Sequence, residues 1–192
     1  MSLSWKTQRM IYIDRLVKPK MIVLIPIGEV EEATLQTLKR PLTEVFGQRM
    51  QIGDRMPLPG EGWNQSRAQY LAPSLLALIP LPNSGNRVLG VVDADIFAPG
   101  LNFVFGQADI VEKRALISLQ RLRQEFHGLP RDEDLFLERA LKEAVHELGH
   151  TYGLGHCPDP TCVMHFSNSL RDTDVKGWDL CLACQGKVSR KI

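Results

Sequence analysis

Apolar and polar positions recur along this chain with two periods, and the changes from one to the other mark out strands and helices. The unbroken run of residues 21–25, stopped by Pro26, predicts a buried strand. Between Glu31 and Phe46, Leu35, Leu38, Leu42 and Val45 return at helical spacing, so a helix is expected, bent or interrupted at Pro41. A Pro- and Gly-rich loop follows at residues 56–62. Beyond it Tyr70, Leu71, Leu75, Leu76 and Ile79 predict a second helix over residues 66–79, with Pro73 as its one strong breaker.

Val88, Leu89, Val91 and Val92 read as a central strand within residues 87–97 that ends in Asp93, Asp95 and Ile96. The two carboxylates are weighed as turn chemistry ahead of function, because Asp is common in turns. Residues 101–106, preceded by Pro99 and Gly100, read as a short strand that can run antiparallel, and residues 114–122, which fit either period, are assigned as a strand. This alternation of strands and helices predicts an α/β protein with a mostly parallel sheet. A longer helix starts in the acidic stretch 130–134 and runs to about Tyr152, with Leu135, Phe136, Ala140, Leu141, Ala144, Val145 and Leu148 as its apolar stripe. Glu138 and Lys142 are spaced to pair on its exposed side.

At 192 residues, 44% of them hydrophobic, the chain supports one domain with a real core, and no run approaches the ~20 apolar residues that span a bilayer. Residues 1–20 scatter six charged side chains and do not read as a signal peptide. A cytoplasmic protein with no membrane association is expected. Lys and Arg number 23 against 22 Asp and Glu, so no overall field draws the chain to nucleic acid. Function must come from a local site.

That site is marked by histidines. His146 and His150 stand four residues apart, so on a helix they project from one face and can share a metal ion. Glu147, turned ~100° from His146, cannot readily join them as a ligand but can take a proton from a water on the metal. Gly153 can adopt the left-handed conformation that ends a helix and brings His156 back as third ligand, with Gly155 adding freedom. Three ligands leave a fourth position open, the mark of a catalytic zinc. The competing interpretation is a helix with incidental surface histidines.

Here a resemblance becomes specific. His146, Glu147, His150, Gly153 and His156 resemble the extended zinc signature of the metzincins, and Met164, eight residues after His156, resembles the methionine of their Met-turn. Within that clan the chain is similar to the archaemetzincins, where a cysteine follows the third histidine at once and others surround and follow the Met-turn, as Cys157, Cys162, Cys181 and Cys184 do here. Weaker likenesses at Arg67, Gln69, Tyr70 and over residues 93–105 carry it across about two-thirds of the chain. The resemblance implies a zincin fold: a twisted, mostly parallel sheet of about five strands with one antiparallel edge, an active-site helix, and a small C-terminal lobe. The expected division places residues 1–153 in the first lobe and 154–192 in the second.

All four cysteines fall in the last quarter of the chain, and four thiolates in two pairs match a closed structural zinc site. The alternative is two disulfides. The expected cofactors are therefore two zinc ions per chain, one catalytic and one structural, and ordering the second should position His156 through its neighbour Cys157. His165 and His127 are read as hydrogen-bonding and loop residues. Between residues 157 and 184, Arg171 and Lys176 face Asp159, Asp172, Asp174 and Asp179, which argues against a nucleic-acid-binding zinc module.

The expected activity is hydrolysis of peptide bonds in peptide or protein substrates, with residues 102–106 as the sheet edge that receives an extended chain. A catalytically silent, zinc-stabilised binding domain is the second reading. Neither assigns an oligomeric state.

Overall fold

The computed structural model describes residues 20–83 and 85–191. The expectation that residues 1–20 hold no signal peptide falls, but for Lys20, outside the described residues. Strand β1 (Met21–Ile27), helix α1 (Glu32–Phe46) and strand β2 (Arg49–Ile52) open the fold. They are followed by β3 (Trp63–Asn64), β4 (Gln69–Leu71), α2 (Ala72–Leu78), β5 (Arg87–Val92) and β6 (Ile96–Phe97). Strands β7 (Gly106–Asp109) and β8 (Arg114–Ser118) precede the long helix α3 (Glu133–Thr151) and the short α4 (Leu170–Val175) and α5 (Leu182–Ser189).

The main sheet has the order β2-β1-β5-β8-β7, parallel throughout except for β7, which pairs antiparallel with β8. This is the expected five-stranded sheet with one antiparallel edge. Side chains alternate across it. Ile22, Leu24, Leu89, Val91, Ala115 and Ile117 pack against Leu35, Leu38 and Leu42 of α1 and Ala140, Ala144 and Leu148 of α3. Ile25, Ile27, Val88, Val92 and Leu116 face Leu75, Leu76 and Ile79 on the other side. With both faces covered, all six residues of β5 are buried.

Several expectations are corrected. Helix α1 runs through Pro41 without a break. The missing donor, a cost of ~3 kcal/mol in a helix interior, is offset by burial of Leu35, Leu38, Leu42 and Phe46. The second helix is only half its expected length, because Ala68 has φ 51° and residues 69–71 form a strand, Gln69 and Tyr70 pairing with β3 and Tyr70 and Leu71 with β6. Pro73 sits in the first turn of α2, where its fixed φ starts a helix instead of breaking one. Strand β4 joins β3 and β6 in a small second sheet that the apolar pattern did not foretell.

Residues 101–105 are irregular, and the edge strand starts at Gly106. Side chains hold the loop: the Arg67 Nη2 donates to the carbonyls of Leu101 and Asn102 at 3.2 and 2.7 Å, and Gln69 Nε2 donates to Asn102 at 3.1 Å. The carboxylates of Asp93 and Asp95 are structural. Arg121 grips Asp95 through two bonds of 2.6 and 2.7 Å, and Arg123 meets Asp93 at 2.8 Å.

Helix α3 begins as its acidic start requires, with Asp132 capping the amide of Leu135 at 3.0 Å. Its C-terminal end is packed by Phe46 stacked on Tyr152, ring centroids 5.1 Å apart, with the Arg87 guanidinium 3.4 Å from the Tyr152 centroid. Lys142 does pair with Glu138, at 2.6 Å, but from a buried position, because the C-terminal segment covers that face of the helix. The same segment is docked by a bidentate bond from Arg139 to Asp174, both contacts 2.7 Å, and Arg139 also donates to Leu122 O at 3.1 Å. Among the described residues no helix is long and apolar enough to cross a membrane.

Replacing Arg139 with Met keeps the buried stem and removes these charge-assisted bonds, so stability should fall by about 2–3 kcal/mol in urea unfolding. An unchanged midpoint would show that α4 docks by apolar contact alone.

Candidate metal centres

The last turn of α3 closes around Gly153. The Gly153 amide donates to His150 O at 2.7 Å and the Leu154 amide to Gly149 O at 3.2 Å, a left-handed helix end with Gly153 at φ 77°. That reversal brings His156 beside His146 and His150, as expected from sequence. Ring centroids lie 4.7 Å apart for His146 and His150, 5.4 Å for His146 and His156, and 5.1 Å for His150 and His156. One nitrogen from each converges within 4.8 Å of the others.

Two of the rings are oriented by backbone. His146 Nδ1 lies 2.8 Å from Val163 O and His150 Nδ1 2.8 Å from Leu154 O. A carbonyl accepts a proton, so these contacts assign Nδ1–H on both rings and leave the Nε2 lone pairs facing each other at 3.1 Å. Two lone pairs so close repel unless a cation lies between them, and tetrahedral zinc ligands at ~2.05 Å stand about 3.3 Å apart. The donor set fits zinc. Burial holds His146 well below the usual imidazole range, and it lowers His150 and His156 as well, so all three favour the neutral, ligating form. Phe166 packs edge-on to His156 at 5.0 Å.

Glu147 is buried between the two helical histidines. A Cβ at position 106 would come within 2.5 Å of its Cγ and 2.7 Å of Leu116 O, so its carboxylate approaches the edge strand only because residue 106 is glycine. Burial pushes the carboxyl well above the usual range; Glu143, one turn earlier, adds to the rise and Lys176 opposes it. Met164 is buried beneath the cluster, its sulfur placed where a Cβ on Gly149 would stand 2.4 Å away.

Gly149 and Glu143 were missed in the sequence, Gly106 entered only as the end of the expected edge, and Lys176 only as a charge of the C-terminal segment. Gly149 carried a usable signal, since glycine inside a helix costs about 1 kcal/mol against alanine and marks close packing. Glu143 and Lys176 carried none, because their spacing reads as ordinary surface charge.

Cys157, Cys162, Cys181 and Cys184 also come together, each sulfur within 4.8 Å of the others. The cysteines are free thiols, with Cys157 and Cys181 sulfurs 3.8 Å apart and those of Cys162 and Cys184 3.9 Å apart. Thiolates at ~2.3 Å from a tetrahedral zinc would be separated by about 3.8 Å. The backbone amide of Cys184 draws the Cys181 thiol down to about 7, while burial pushes Cys162 and Cys184 up. The two clusters share one loop: the Cys157 amide donates to Met164 O at 2.9 Å, next to the Val163 carbonyl that orients His146. His165 is a spacer, its Nδ1 2.9 Å from Cys157 O, and His127 contacts Arg121 O at 3.0 Å; neither joins a cluster.

A cavity of about 620 Å³ opens over the histidines. Residues 100–108 and Ile110 form one wall, including the start of β7, and Phe166, Ser167, Asn168 and Lys176 the other.

Comparison with known proteins places these features in context. The family model of Peptidase family M54 matches residues 83–190. The chain is 48% identical to the archaemetzincin of Methanocaldococcus jannaschii over 167 residues, covering 87% of this chain and 92% of that one. It is 43% identical to the archaemetzincin of Pyrococcus furiosus over 180 residues, 90% of this chain and 94% of that one. The crystal structure of archaemetzincin from Methanopyrus kandleri superposes with a TM-score of 0.78 at 38% identity, covering 90% of this chain and 95% of that one.

Gly149→Ala forces the Met164 sulfur out of its seat, and overpacking of this kind costs about 1–3 kcal/mol, only partly offset by the helix propensity of alanine. Chemical unfolding should show the loss, and Met164→Ala in the same chain should restore part of it. Two losses that simply add would rule out the contact as the cause.

Proposed function

This chain belongs to peptidase family M54, the archaemetzincins, and is a zinc metallopeptidase acting on peptide or protein substrates; we propose that His146, His150 and His156 hold its catalytic zinc and that Glu147 is its general base. The observation that carries the assignment is the convergence of three imidazole nitrogens, two of them with Nδ1 tied to backbone carbonyls.

Zinc, when bound, supplies Lewis acidity: it polarises the scissile carbonyl and lowers the pKa of water toward ~7. Glu147 takes a proton from the attacking water at a carboxylate oxygen and delivers it to the amine nitrogen as the C–N bond breaks. Glu147 lines the cavity beside the three histidines, which puts one carboxylate within the space where both transfers take place. Gly106 keeps the carboxylate against the edge strand, and Met164 and Gly149 support the histidines from below.

The lobes 1–153 and 154–192 divide the work. The first carries Glu147, His146 and His150; the second returns His156 and forms the opposite wall of the cleft. An extended substrate would add to the outer edge of β7, at Gly106–Asp109 in place of the residues 102–106 expected from sequence; this reading is supported by the sheet order, in which β8 is the one neighbour of β7 among the described residues. Cys157, Cys162, Cys181 and Cys184 would hold a second, structural zinc, making two per chain. Free thiols suit a reducing compartment such as the cytoplasm. The silent-domain reading is set aside, because the family is one of metallopeptidases.

Glu147→Gln should lower kcat by about 10²–10⁴-fold while elemental analysis finds the same metal content as in the parent. Full activity in that variant would remove Glu147 from the mechanism. The parent should carry two zinc ions and lose the histidine-held one first on mild chelation, since an open three-ligand site is less closed than four thiolates. Cys157→Ser should reduce occupancy at both centres; an unaffected histidine site would show that the shared loop does not couple them.

A further inference from the structure

One buried charged group near the cleft has no part in that chemistry. Lys176 follows α4, is 1% exposed, and lines the cavity that holds His146, Glu147, His150 and His156. Its Nζ lies 3.2 Å from Glu143 Oε1, yet among the described residues Nζ makes no hydrogen bond. The Glu143 oxygen instead accepts from the Thr173 hydroxyl at 3.2 Å. An ammonium carries three donors, and burying one with a single poorly aligned carboxylate is costly unless something else uses them.

The position of this group is informative. Glu143 precedes Glu147 by one turn of α3, a rise of about 6 Å, and Nζ meets the side chain at the Glu143 end of that interval. An extended peptide rises ~3.3 Å per residue, which puts that distance within reach of the residue flanking the scissile bond. The flexible stem of lysine lets Nζ advance toward a ligand.

We propose that Lys176 is a carboxylate-binding subsite of the cleft, taking either an acidic side chain next to the scissile bond or the terminal carboxylate of the substrate. This rests on the histidine cluster being the hydrolytic centre. Glu143 then acts as the counter-ion that holds Lys176 in place while the subsite is empty.

The test uses the zinc-loaded Glu147→Gln protein, in which binding is measured without turnover. Calorimetry compares acetyl-Ala-Glu-amide, acetyl-Ala-Ala as the free acid, and acetyl-Ala-Gln-amide, which presents no carboxylate. A carboxylate peptide should bind at least roughly tenfold more tightly than the Gln peptide, the Glu peptide or the free acid telling which source is read. The advantage should vanish on adding Lys176→Met and return with Lys176→Arg. Equal binding of all three, or an advantage that survives Lys176→Met, overturns the proposal, and because the three peptides are compared on one protein the answer does not hang on how the lysine variants fold.

A quenched-peptide library digested by the parent enzyme gives the second readout. Enrichment of acidic residues, or of the chain end, beside the cut supports the subsite; cleavage without it, or with basic residues preferred through Glu143, overturns it. Absence of cleavage would count against the hydrolytic reading of the histidines and leave the calorimetry to decide the subsite.

Discussion

The carbonyl of Val163, reached by His146 Nδ1 at 2.8 Å, is the contact on which the site depends. It joins a rigid element, the long helix, to an irregular one, the loop beneath it, through a bond that also sets which nitrogen of the ring faces His150. Everything around it serves to keep that loop in register. Met164 is packed against Gly149, the Cys157 amide is fixed to the Met164 carbonyl, and the Val163 amide donates to Asp179 O at 3.0 Å. A loop without regular structure holds its backbone by such individual contacts, since no ladder supplies them.

The mixed character of the sheet follows from how the chain returns to this site. The inner parallel strands β1, β5 and β8 are covered by helices and paired on both sides, which gives a stable platform but leaves their backbone no free groups for a partner. Strand β7 alone runs the other way, because its tight connection to β8 requires an antiparallel pair. That places Gly106 at the beginning of the strand, beside Glu147. The loop before it cannot be a strand, since its carbonyls at Leu101 and Asn102 are occupied by Arg67 and Gln69.

Much of this was legible because the informative signals are local. The spacing of His146 and His150, the glycine three residues further on and the acidic start of α3 each depend on a few neighbouring φ and ψ angles. The parallel sheet was legible from continuous apolar runs such as that of β5. What failed was governed by distant partners. Pro41 was expected to disturb α1, yet the packing of four apolar side chains overrides it. Pro73 was read as a flaw within a helix when it marks the beginning of one. Lys142 and Lys176 look like surface charges by composition, and only the docking of the C-terminal segment buries them. The roles of Asp93 and Asp95 as turn residues were anticipated, but not the arginines that hold them.

Strand β7 is only four residues long. At ~3.4 Å per residue its edge covers about 14 Å, so backbone pairing can register no more than about four residues of an added chain. A longer open edge would hold a peptide more tightly but would equally invite a second copy of the protein to pair with it, the hazard that exposed strands carry in any sheet. Brevity therefore limits what any added strand gains from this edge and makes it a poor seed for self-association.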